Sequence, residues 1–237
     1  MADAAEKNAP NTQADKPLRL AVLVSGSGSN LQVLIDAMQA GALPIEMVGV
    51  ISNREDAYAI TRANDAAIPV AILSHTDSGK RMGIKTFEAH ASAQLAEWQP
   101  DLVVLAGFMR VLSADFIASV SAPMINLHPS LLPAYKGLDT HQRAIQAGER
   151  QHGCSIHRVT AELDAGAVLT QAVLAVNQKD TADSLQKRVQ QCEHQLLPWT
   201  ILLIAKQVLK MNPLTTQSND TPSTYLPTLP LQLWLNP

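Results

Sequence analysis

Apolar runs of strand length alternate with amphipathic stretches along most of this chain. The run Leu18–Ser25 is followed by G-S-G-S-N and then by apolar residues spaced three and four apart from Leu31 to Met38, which predicts a strand, a glycine loop and a helix. We predict further strands and helices, with strands at Ile45–Ser52, Val70–Leu73, Asp101–Leu105 and Met124–His128, and helices at Ala57–Asp65, Lys85–Trp98, Ala114–Ser119 and Thr140–Ala147. This alternation predicts a parallel sheet.

The pattern continues with two β-like runs and one long helix. Cys154–Val159 and Val168–Val176 flank a turn-rich loop, so we expect them to form a hairpin that extends the sheet. Asp180 or Thr181 can cap a helix whose apolar stripe predicts that it runs to about Met211. The expected fold is α/β, a mostly parallel, doubly wound sheet of about seven strands with helices on both faces and a Rossmann-like N-terminal half.

Three segments lack such periodicity. Residues 1–17 carry charges of both signs without an apolar stretch, and residues 212–237 are rich in proline, threonine and serine. We therefore expect a disordered N-terminal tail, a single domain over residues 18–211 and an irregular C-terminal tail. The polar segment His75–Gly83 predicts a surface loop.

Composition restricts the function classes. With 46% hydrophobic residues, 16% charged residues and a net charge of −3, the chain lacks the basic surplus of a nucleic-acid-binding protein. Cys154 and Cys192 are too few for a disulfide framework and fit no zinc-binding spacing, so we expect a cytoplasmic protein without a bound metal. No apolar run is long enough to span a bilayer, so we expect no membrane partner.

Asn126 and His128 are the first candidates for chemistry. They are two residues apart on a predicted strand and therefore point to the same face. Pro129 restricts the residue before it to extended geometry, so the strand should end at His128. Ligands of open α/β sheets bind beyond the C-terminal strand ends, and imidazole is suited to proton transfer near neutral pH. This pair at a strand end predicts an active site, the alternative being a structural histidine beside a turn.

The loop Ser25–Asn30 predicts an anion site. Its glycines lie between a strand and a helix N-terminus, where free backbone N–H groups and the helix dipole favour phosphate. A dinucleotide fits less well, because Leu31 stands where the third glycine of G-x-G-x-x-G would be and the second strand is followed by Asn53 and Arg54 rather than by an acidic residue. The alternative is a bare turn that binds nothing.

Asp164 is the remaining candidate. It lies in a glycine-containing loop after a β-like run, and a carboxylate near an imidazole favours the charged ring and can exchange protons with it. Sequence spacing does not bring Asp164 to His128, and an aspartate before a glycine-containing turn is commonly only a turn residue. Both interpretations stay open at this point.

Four motifs together resemble one enzyme family. They are S-G-x-G-S-N-L, L-A-G-F-M-R, N-x-H-P-S-L-L-P-x-Y-x-G and H-G-x-S-x-H-x-V-T-x-E-L-D-x-G, and the similarity covers about Leu18 to Met211. The combination is similar to the folate-dependent phosphoribosylglycinamide formyltransferases of purine synthesis. The resemblance implies the formyltransferase fold, one catalytic domain over residues 18–211, and transfer of a formyl group from 10-formyltetrahydrofolate to the amine of phosphoribosylglycinamide without a metal.

The resemblance also implies roles for matched residues. These are, for catalysis, Asn126, His128 and Asp164; for the ribonucleotide, Gly28, Ser29, Asn30, Gln190 and Glu193; and for the folate, Arg81, Met109, Arg110, Val111, Leu112 and Asn126. Asn126 and protonated His128 would stabilise the oxyanion, and Asp164 would keep the imidazole charged and help to move the proton of the attacking amine.

Some positions depart from the family pattern. Arg81 belongs to a segment in which the expected S-R-E motif is broken by an apparent insertion around Met82 to Ile84. Asp139 replaces the first histidine of an H-T-H motif. His152 and His157 match the last motif, and we interpret them as structural residues because strand histidines commonly satisfy local hydrogen bonds.

Other functions make different demands on the sequence. A 10-formyltetrahydrofolate hydrolase would share the catalytic residues but is expected to carry an extra N-terminal domain, and a methionyl-tRNA formyltransferase a basic C-terminal domain. A noncatalytic nucleotide-binding module, or an NADP-dependent reductase using Arg54, would explain the glycine loop but leave Asn126, His128 and Asp164 without a role. We expect small-molecule substrates, no nucleic acid, and a monomer or homodimer.

Overall fold

The computed structural model describes residues 16–74, 76–77, 80–81, 83–211 and 231–234. Its strands are β1 (Leu18–Val24), β2 (Ile45–Ser52), β3 (Val70–Ile72), β4 (Thr76–Asp77), β5 (Lys80–Arg81), β6 (Leu102–Leu105), β7 (Met124–His128), β8 (Gln151–Arg158), β9 (Val168–Ala175) and β10 (Leu231–Trp234). Its helices are α1 (Ser29–Gln39), α2 (Tyr58–Asp65), α3 (Ile84–Trp98), α4 (Ala114–Ser119), α5 (Thr140–Gln146) and α6 (Ala182–Ala205).

Among the described residues, eight strands form one sheet in the order β10-β9-β8-β7-β6-β1-β2-β3. Five neighbouring strands of this sheet are parallel, namely β3, β2, β1, β6 and β7, and the hairpin β8–β9 extends the sheet by antiparallel pairing of β8 with β7. The apolar stripes of α1, α2 and α6 cover one face of the sheet, while α3 and α4 cover the other. The expected α/β fold, its hairpin and its two helical layers are confirmed.

Two regions differ from the sequence predictions. Helix α6 ends at Ala205 rather than near Met211, because Gln207 adopts a left-handed backbone (φ 57°) and Leu209 turns back into the core. The expectation of an irregular tail over residues 212–237 is wrong at β10, which pairs in parallel with β9. Four residues within a proline-rich segment are too few to show a strand pattern, and residues 212–230 and 235–237 lie outside the description.

The segment His75–Gly83 was expected to be a surface loop. The structure instead describes two short strands in it, β4 and β5, which pair in an antiparallel ladder. His75, Ser78, Gly79 and Met82 lie outside the described residues, as do residues 1–15 of the expected N-terminal tail.

Candidate active site at the C-terminal edge of the sheet

The candidate site is a crevice at the C-terminal ends of β1, β6 and β7, where parallel strands leave their backbone ends open. A cavity of about 430 Å³ lies here. Its walls come from six regions of the chain, and they are Ser25 to Asn30, Arg54, Ala106, Gly107, Met109, Leu127, Pro129, His141, Gln186, Gln190 and Glu193. Residues from both halves of the chain therefore meet in one cavity.

Asn126, His128 and Asp164 lie together at the C-terminal end of β7, where Leu127 and Pro129, the chain neighbours of His128, line the cavity. His128 Nδ1 is 3.3 Å from Asp164 Oδ2, and Asn126 Nδ2 is 3.4 Å from Asp164 Oδ1. The His128 and Asp164 side chains are almost completely buried, with 7% and 6% of their surfaces exposed. The structure thus brings together the three residues that the sequence placed up to 38 positions apart. With His157, described below, they form what we call the polar cluster.

The imidazole of His128 faces one acceptor with each nitrogen. Its Nε2 is 3.0 Å from the carbonyl oxygen of Tyr135, and because a carbonyl only accepts, Nε2 carries a proton and donates it. Nδ1 is therefore the nitrogen that gains or loses a proton, and it faces Asp164. Burial lowers the pKa of His128, while the Tyr135 carbonyl and the Asp164 carboxylate offset part of that effect.

Asp164 is held in an unusual backbone conformation. Its φ of 48° is left-handed, which aspartate tolerates better than most residues because its short side chain is polar. The backbone N–H of Gly137 donates a 2.9 Å hydrogen bond to Oδ2. Burial alone would raise the pKa of Asp164, but the contact with His157, the Gly137 N–H and the charge of His128 together lower it. The carboxylate is thus kept ionised inside the protein.

His157 also belongs to the polar cluster, although the sequence interpretation made it structural. Its Nδ1 donates to the carbonyl of Arg158 (2.9 Å), and its Nε2 lies 3.1 Å from Asn126 Nδ2. Nε2 also lies 3.5 Å from Asp164 Oδ1. His157 pairs directly with Asn126 across β7 and β8. The expected hairpin, had its register against β7 been known, would have indicated this neighbour.

A buried hydrogen-bond network supports the turn that carries Tyr135. The Ser155 hydroxyl donates to the carbonyl of Ser130 (2.6 Å) and accepts from the N–H of Leu132 (3.0 Å). The Gln171 amide donates to the Leu132 carbonyl and to Ser155, at 3.0 and 2.9 Å. Because this network satisfies the buried polar groups of the turn, the carbonyl that holds His128 has a fixed position.

The sequence Ser25–Asn30, which we call the glycine loop, forms the other end of the cavity. Gly28 has a left-handed backbone (φ 69°) and precedes α1, which has no capping side chain at its N-terminus. The first-turn N–H groups of α1 are therefore not occupied by a cap, and the helix dipole makes this end positive. A Cβ atom on Gly28 would lie 2.6 Å from Cβ of Ala59, so only glycine fits here.

Two residues of α6 reach the glycine loop. Gln190 donates a 3.0 Å hydrogen bond to the Ser29 hydroxyl, and Asn30 donates a 2.9 Å hydrogen bond to the Glu193 carboxylate. Burial raises the pKa of Glu193, and the Asn30 amide offsets part of that increase. The other side-chain atom of Asn30, Oδ1, is buried without a hydrogen-bond partner in the described residues. Gln190 and Glu193 thus line the cavity together with the glycine loop, and their contact with a substrate stays a prediction.

The segment Met109–Leu112 follows β6 and borders the cavity. Met109 and Val111 expose 69% and 60% of their surfaces, which is unusual for apolar residues, whereas Leu112 is buried in the core. The guanidinium of Arg110 lies 4.9 Å from the centre of the Phe87 ring. The N–H of Met109 donates to the Ser25 hydroxyl (2.8 Å), which links this segment to the glycine loop.

Arg81 and Asp139 behave differently from these residues. Only the backbone of Arg81 is described, in β5, so its side chain lies outside the description and its folate role stays a prediction. Asp139 precedes α5 with a left-handed backbone (φ 57°) and makes no capping hydrogen bond.

In the described part of the chain, no group of three or more His, Cys, Asp or Glu residues could hold a metal ion, and no helix has the length and hydropathy needed to cross a membrane.

Comparisons with known proteins agree with this geometry. Residues 18–201 match the Formyl transferase family. Phosphoribosylglycinamide formyltransferase of Escherichia coli is 40% identical over 195 residues, which are 82% of this chain and 91% of the relative. The solved phosphoribosylglycinamide formyltransferase of Coxiella burnetii is 45% identical, with a TM-score of 0.74 over 81% of this chain and 88% of that one.

The relatives also include much longer proteins. The trifunctional purine biosynthetic protein adenosine-3 of Drosophila melanogaster is 40% identical over 197 residues, and the match spans 82% of this chain but only 14% of the relative. The similarity therefore covers one part of that protein. The family match and the near full-length bacterial relatives lead to the same conclusion: this chain belongs to the formyl transferase family.

Proposed function

We propose that this protein transfers a formyl group from 10-formyltetrahydrofolate to the amine of phosphoribosylglycinamide, giving the N-formyl product and tetrahydrofolate in purine biosynthesis. The observation that carries the proposal is the contact of His128 Nδ1 with Asp164 Oδ2 (3.3 Å) at the end of β7, where Leu127 and Pro129 line the cavity that the glycine loop also lines. Two bacterial relatives named for this activity support the proposal, because they align with 77% and 82% of the chain.

The glycine loop is the proposed site of the ribonucleotide phosphate. The uncapped N-terminus of α1 offers backbone N–H donors and the positive end of a helix dipole, which suit a phosphate. Gln190 and Glu193, which contact Ser29 and Asn30, are the proposed contacts of the glycinamide part. The phosphate end therefore binds through backbone groups, and the amine end through side chains of α6.

The folate is proposed to bind along Met109–Leu112. The exposed side chains of Met109 and Val111 provide apolar surface for a flat pteridine ring, and the backbone of the segment offers polar groups to its edge. Asn126 contacts Asp164 in the polar cluster and pairs with Leu105 of β6, the strand that precedes this segment. In this arrangement the formyl group would be held between the two substrates, at His128 and Asp164.

The chemistry needs one charge stabilised and one proton moved. When the amine attacks the formyl carbon, negative charge develops on the formyl oxygen and positive charge on the nitrogen. His128 takes its second proton from solvent as the substrates bind, because the neighbouring Asp164 carboxylate and the charge that develops on the oxygen both favour the charged ring, and it keeps that proton throughout the reaction. The charged ring then stabilises the formyl oxygen, to which Asn126 donates a hydrogen bond. Its 3.4 Å contact with Asp164 is long, so the Asn126 N–H can turn to the oxygen at little cost.

Asp164 is the proposed proton carrier. Its ionised carboxylate accepts the proton of the attacking nitrogen, directly or through a water molecule, and returns it to the folate nitrogen as the C–N bond to the formyl group breaks. The lowered pKa of Asp164 keeps it ready to accept a proton at neutral pH. No metal takes part in this scheme.

A cytoplasmic location and small-molecule partners complete the proposal. Cys154 and Cys192 are both free and buried, as is usual in a reducing compartment. The net charge of −3 supports the view that nucleic acid is not a partner.

Formyl transfer with purified protein and both substrates is the direct test. We expect tetrahydrofolate to form only when phosphoribosylglycinamide is present, whereas equal release without it would identify a hydrolase that uses water. The variant His128→Ala should lower kcat much more than it lowers ribonucleotide affinity. Turnover close to that of the unmodified protein would remove His128 from the mechanism.

A further inference from the structure

The glycine loop is held from outside by helix α2. Arg62 Nε donates a 2.9 Å hydrogen bond to the carbonyl oxygen of Ser27, in the middle of the loop. Its Nη1 donates a 2.8 Å hydrogen bond to Gln32 Oε1, in the first turn of α1. One guanidinium thus connects the loop and the helix that follows it, the two elements that would contact a phosphate.

The contact with Ser27 fixes the direction of a peptide group. In a planar trans peptide the C=O and the N–H point in opposite directions. Because the Ser27 carbonyl points to Arg62, the N–H of Gly28 points away from α2, and the carbonyl oxygen does not turn toward an incoming anion. The N–H of Ala59 donates to the carbonyl of Gly26 (3.1 Å), so a second loop carbonyl is held in the same way.

The guanidinium of Arg62 is itself held in place by an aromatic ring. Its guanidinium carbon lies 4.8 Å from the centre of the Tyr58 ring, one turn earlier on α2. Both hydrogen bonds of the head are to neutral oxygen atoms, so they orient the guanidinium without neutralising its charge. The positive charge lies beside the loop and adds to the potential of the α1 dipole.

We propose that Arg62 is a positioning residue for the phosphate subsite, an inference that rests on the proposed function of the glycine loop. Arg62 keeps the loop carbonyls turned outward and the loop N–H groups available, so that the protein prefers an acceptor that carries a phosphate. Arg62 acts through Ser27 and Gln32 and does not contact the reacting atoms.

A comparison of two acceptors tests this role. We would measure kcat and KM of Arg62→Gln with phosphoribosylglycinamide and with the same riboside lacking the phosphate. We expect KM for the phosphorylated acceptor to rise about 10- to 100-fold while kcat changes less than about twofold. The reason is that the charged group on α2 that donates a hydrogen bond to the loop is lost. The kcat/KM for the riboside should stay within about twofold, since the loop has no phosphate to bind.

Arg19→Gln is the matched control. Arg19 lies near the opposite end of β1 and also donates to backbone carbonyls, those of Gln99 and Trp98, but far from the glycine loop. It should lower the stability of the fold without changing KM for either acceptor. Equal losses on both acceptors in Arg62→Gln would show a general structural role and would overturn the proposal, as would an unchanged KM.

The variant Arg62→Lys separates position from charge. Lysine keeps the positive charge but cannot make both fixed hydrogen bonds, so KM should remain clearly raised. Full recovery by lysine would overturn the positioning role. Calorimetric titration with inorganic phosphate keeps the test independent of the proposed reaction: the unmodified protein should bind phosphate more tightly than Arg62→Gln even if formyl transfer is not observed, and equal affinities would refute the inference.

Discussion

The glycine loop consists of backbone groups from one short stretch, whereas the polar cluster consists of buried or half-buried side chains from three separate segments. Ser25 to Asn30 are consecutive, and the features that suit an anion are a left-handed glycine and a helix N-terminus. Asn126 and His128 come from β7, His157 from β8 and Asp164 from the β8–β9 loop. Both regions lie at the same edge of the sheet.

Under the proposed function, this difference separates phosphate binding from proton transfer. A loop that binds through N–H groups depends on backbone shape, so it should be sensitive to changes in volume and backbone freedom. A cluster that moves protons depends on burial and charge, so it should be sensitive to changes that keep the shape and alter the ionisation. Substitutions in the two regions should therefore change different kinetic constants.

The largest effect is expected for Asp164→Asn. The substitution keeps the size of the side chain but removes the carboxylate that faces His128 Nδ1, so kcat should fall by about 10²- to 10⁴-fold, the usual contribution of acid–base catalysis. Ribonucleotide affinity, measured by calorimetry, should stay within about threefold. Glu162→Gln, a change at an exposed neighbour, is the control and should keep normal turnover. Similar kcat values for the two variants would contradict the role of Asp164.

A buried histidine outside the polar cluster, His152, should also make the stability of the fold sensitive to acid. His152 is 1% exposed, and burial followed by the nearby His141 lowers its pKa to about 4 from 6.5, while Glu149 and the Pro129 carbonyl act in the opposite direction. The unfolded chain therefore binds more protons between these pH values, and the free energy of unfolding should fall by about 3 kcal/mol as pH drops from 6.5 toward 4.

Urea unfolding at pH 7 and pH 4.5 measures this loss of stability. The variant His152→Gln lacks the titrating ring, so its stability should differ between the two pH values by about 2 kcal/mol less than that of the unmodified protein. The glycine loop contains no titrating residue, and Gly28 variants should show the full dependence on pH. Equal losses in His152→Gln and in the unmodified protein would exclude His152 as the source.

A change of shape without a change of charge should affect the glycine loop. In Gly28→Ala the added methyl group would lie 2.6 Å from Cβ of Ala59, at a φ that alanine rarely adopts. We expect KM for the ribonucleotide to rise about 10- to 100-fold and KM for the folate to change little. Gly41→Ala, at a similar φ (68°) but with open space around it, controls for backbone strain alone and should not alter either KM.

The smallest effect is expected at Met109–Leu112, the segment proposed to bind the folate. Glu88 accepts hydrogen bonds from the N–H and the hydroxyl of Ser113, both at 2.7 Å, and so fixes the end of Met109–Leu112. Glu88→Gln replaces one acceptor oxygen with a donor, and KM for the folate should rise about three- to tenfold without a change in ribonucleotide KM. Glu97→Gln, on the exposed side of the same helix, is the control. An unchanged folate KM would show that the segment holds its position without Glu88.

The sequence was most informative where structure is local. The strand, glycine loop and helix of residues 18–39, and the strand ending at His128, follow from apolar periodicity, glycine and proline, all of which act within a few residues. The contact of Asp164 with His128 spans 36 positions, and only the family resemblance linked these residues before the structure was known.

Contacts between segments explain what was missed. His157 contacts Asn126 because of the β7–β8 register, which a single strand does not encode. Strand β10 gains its order from pairing with β9 rather than from its own short pattern. The hydrogen bond from Arg62 to the Ser27 carbonyl joins residues 35 positions apart, on two elements whose packing the sequence alone does not specify.

The hydrogen bond from the Met109 N–H to the Ser25 hydroxyl has an evolutionary consequence. Ser25 begins the glycine loop and at the same time holds the first residue of the folate segment. A mutation at this position would alter both proposed binding surfaces together, so neither could adapt there to a new ligand without disturbing the other. Diversification of either surface would have to begin at residues farther from this shared point.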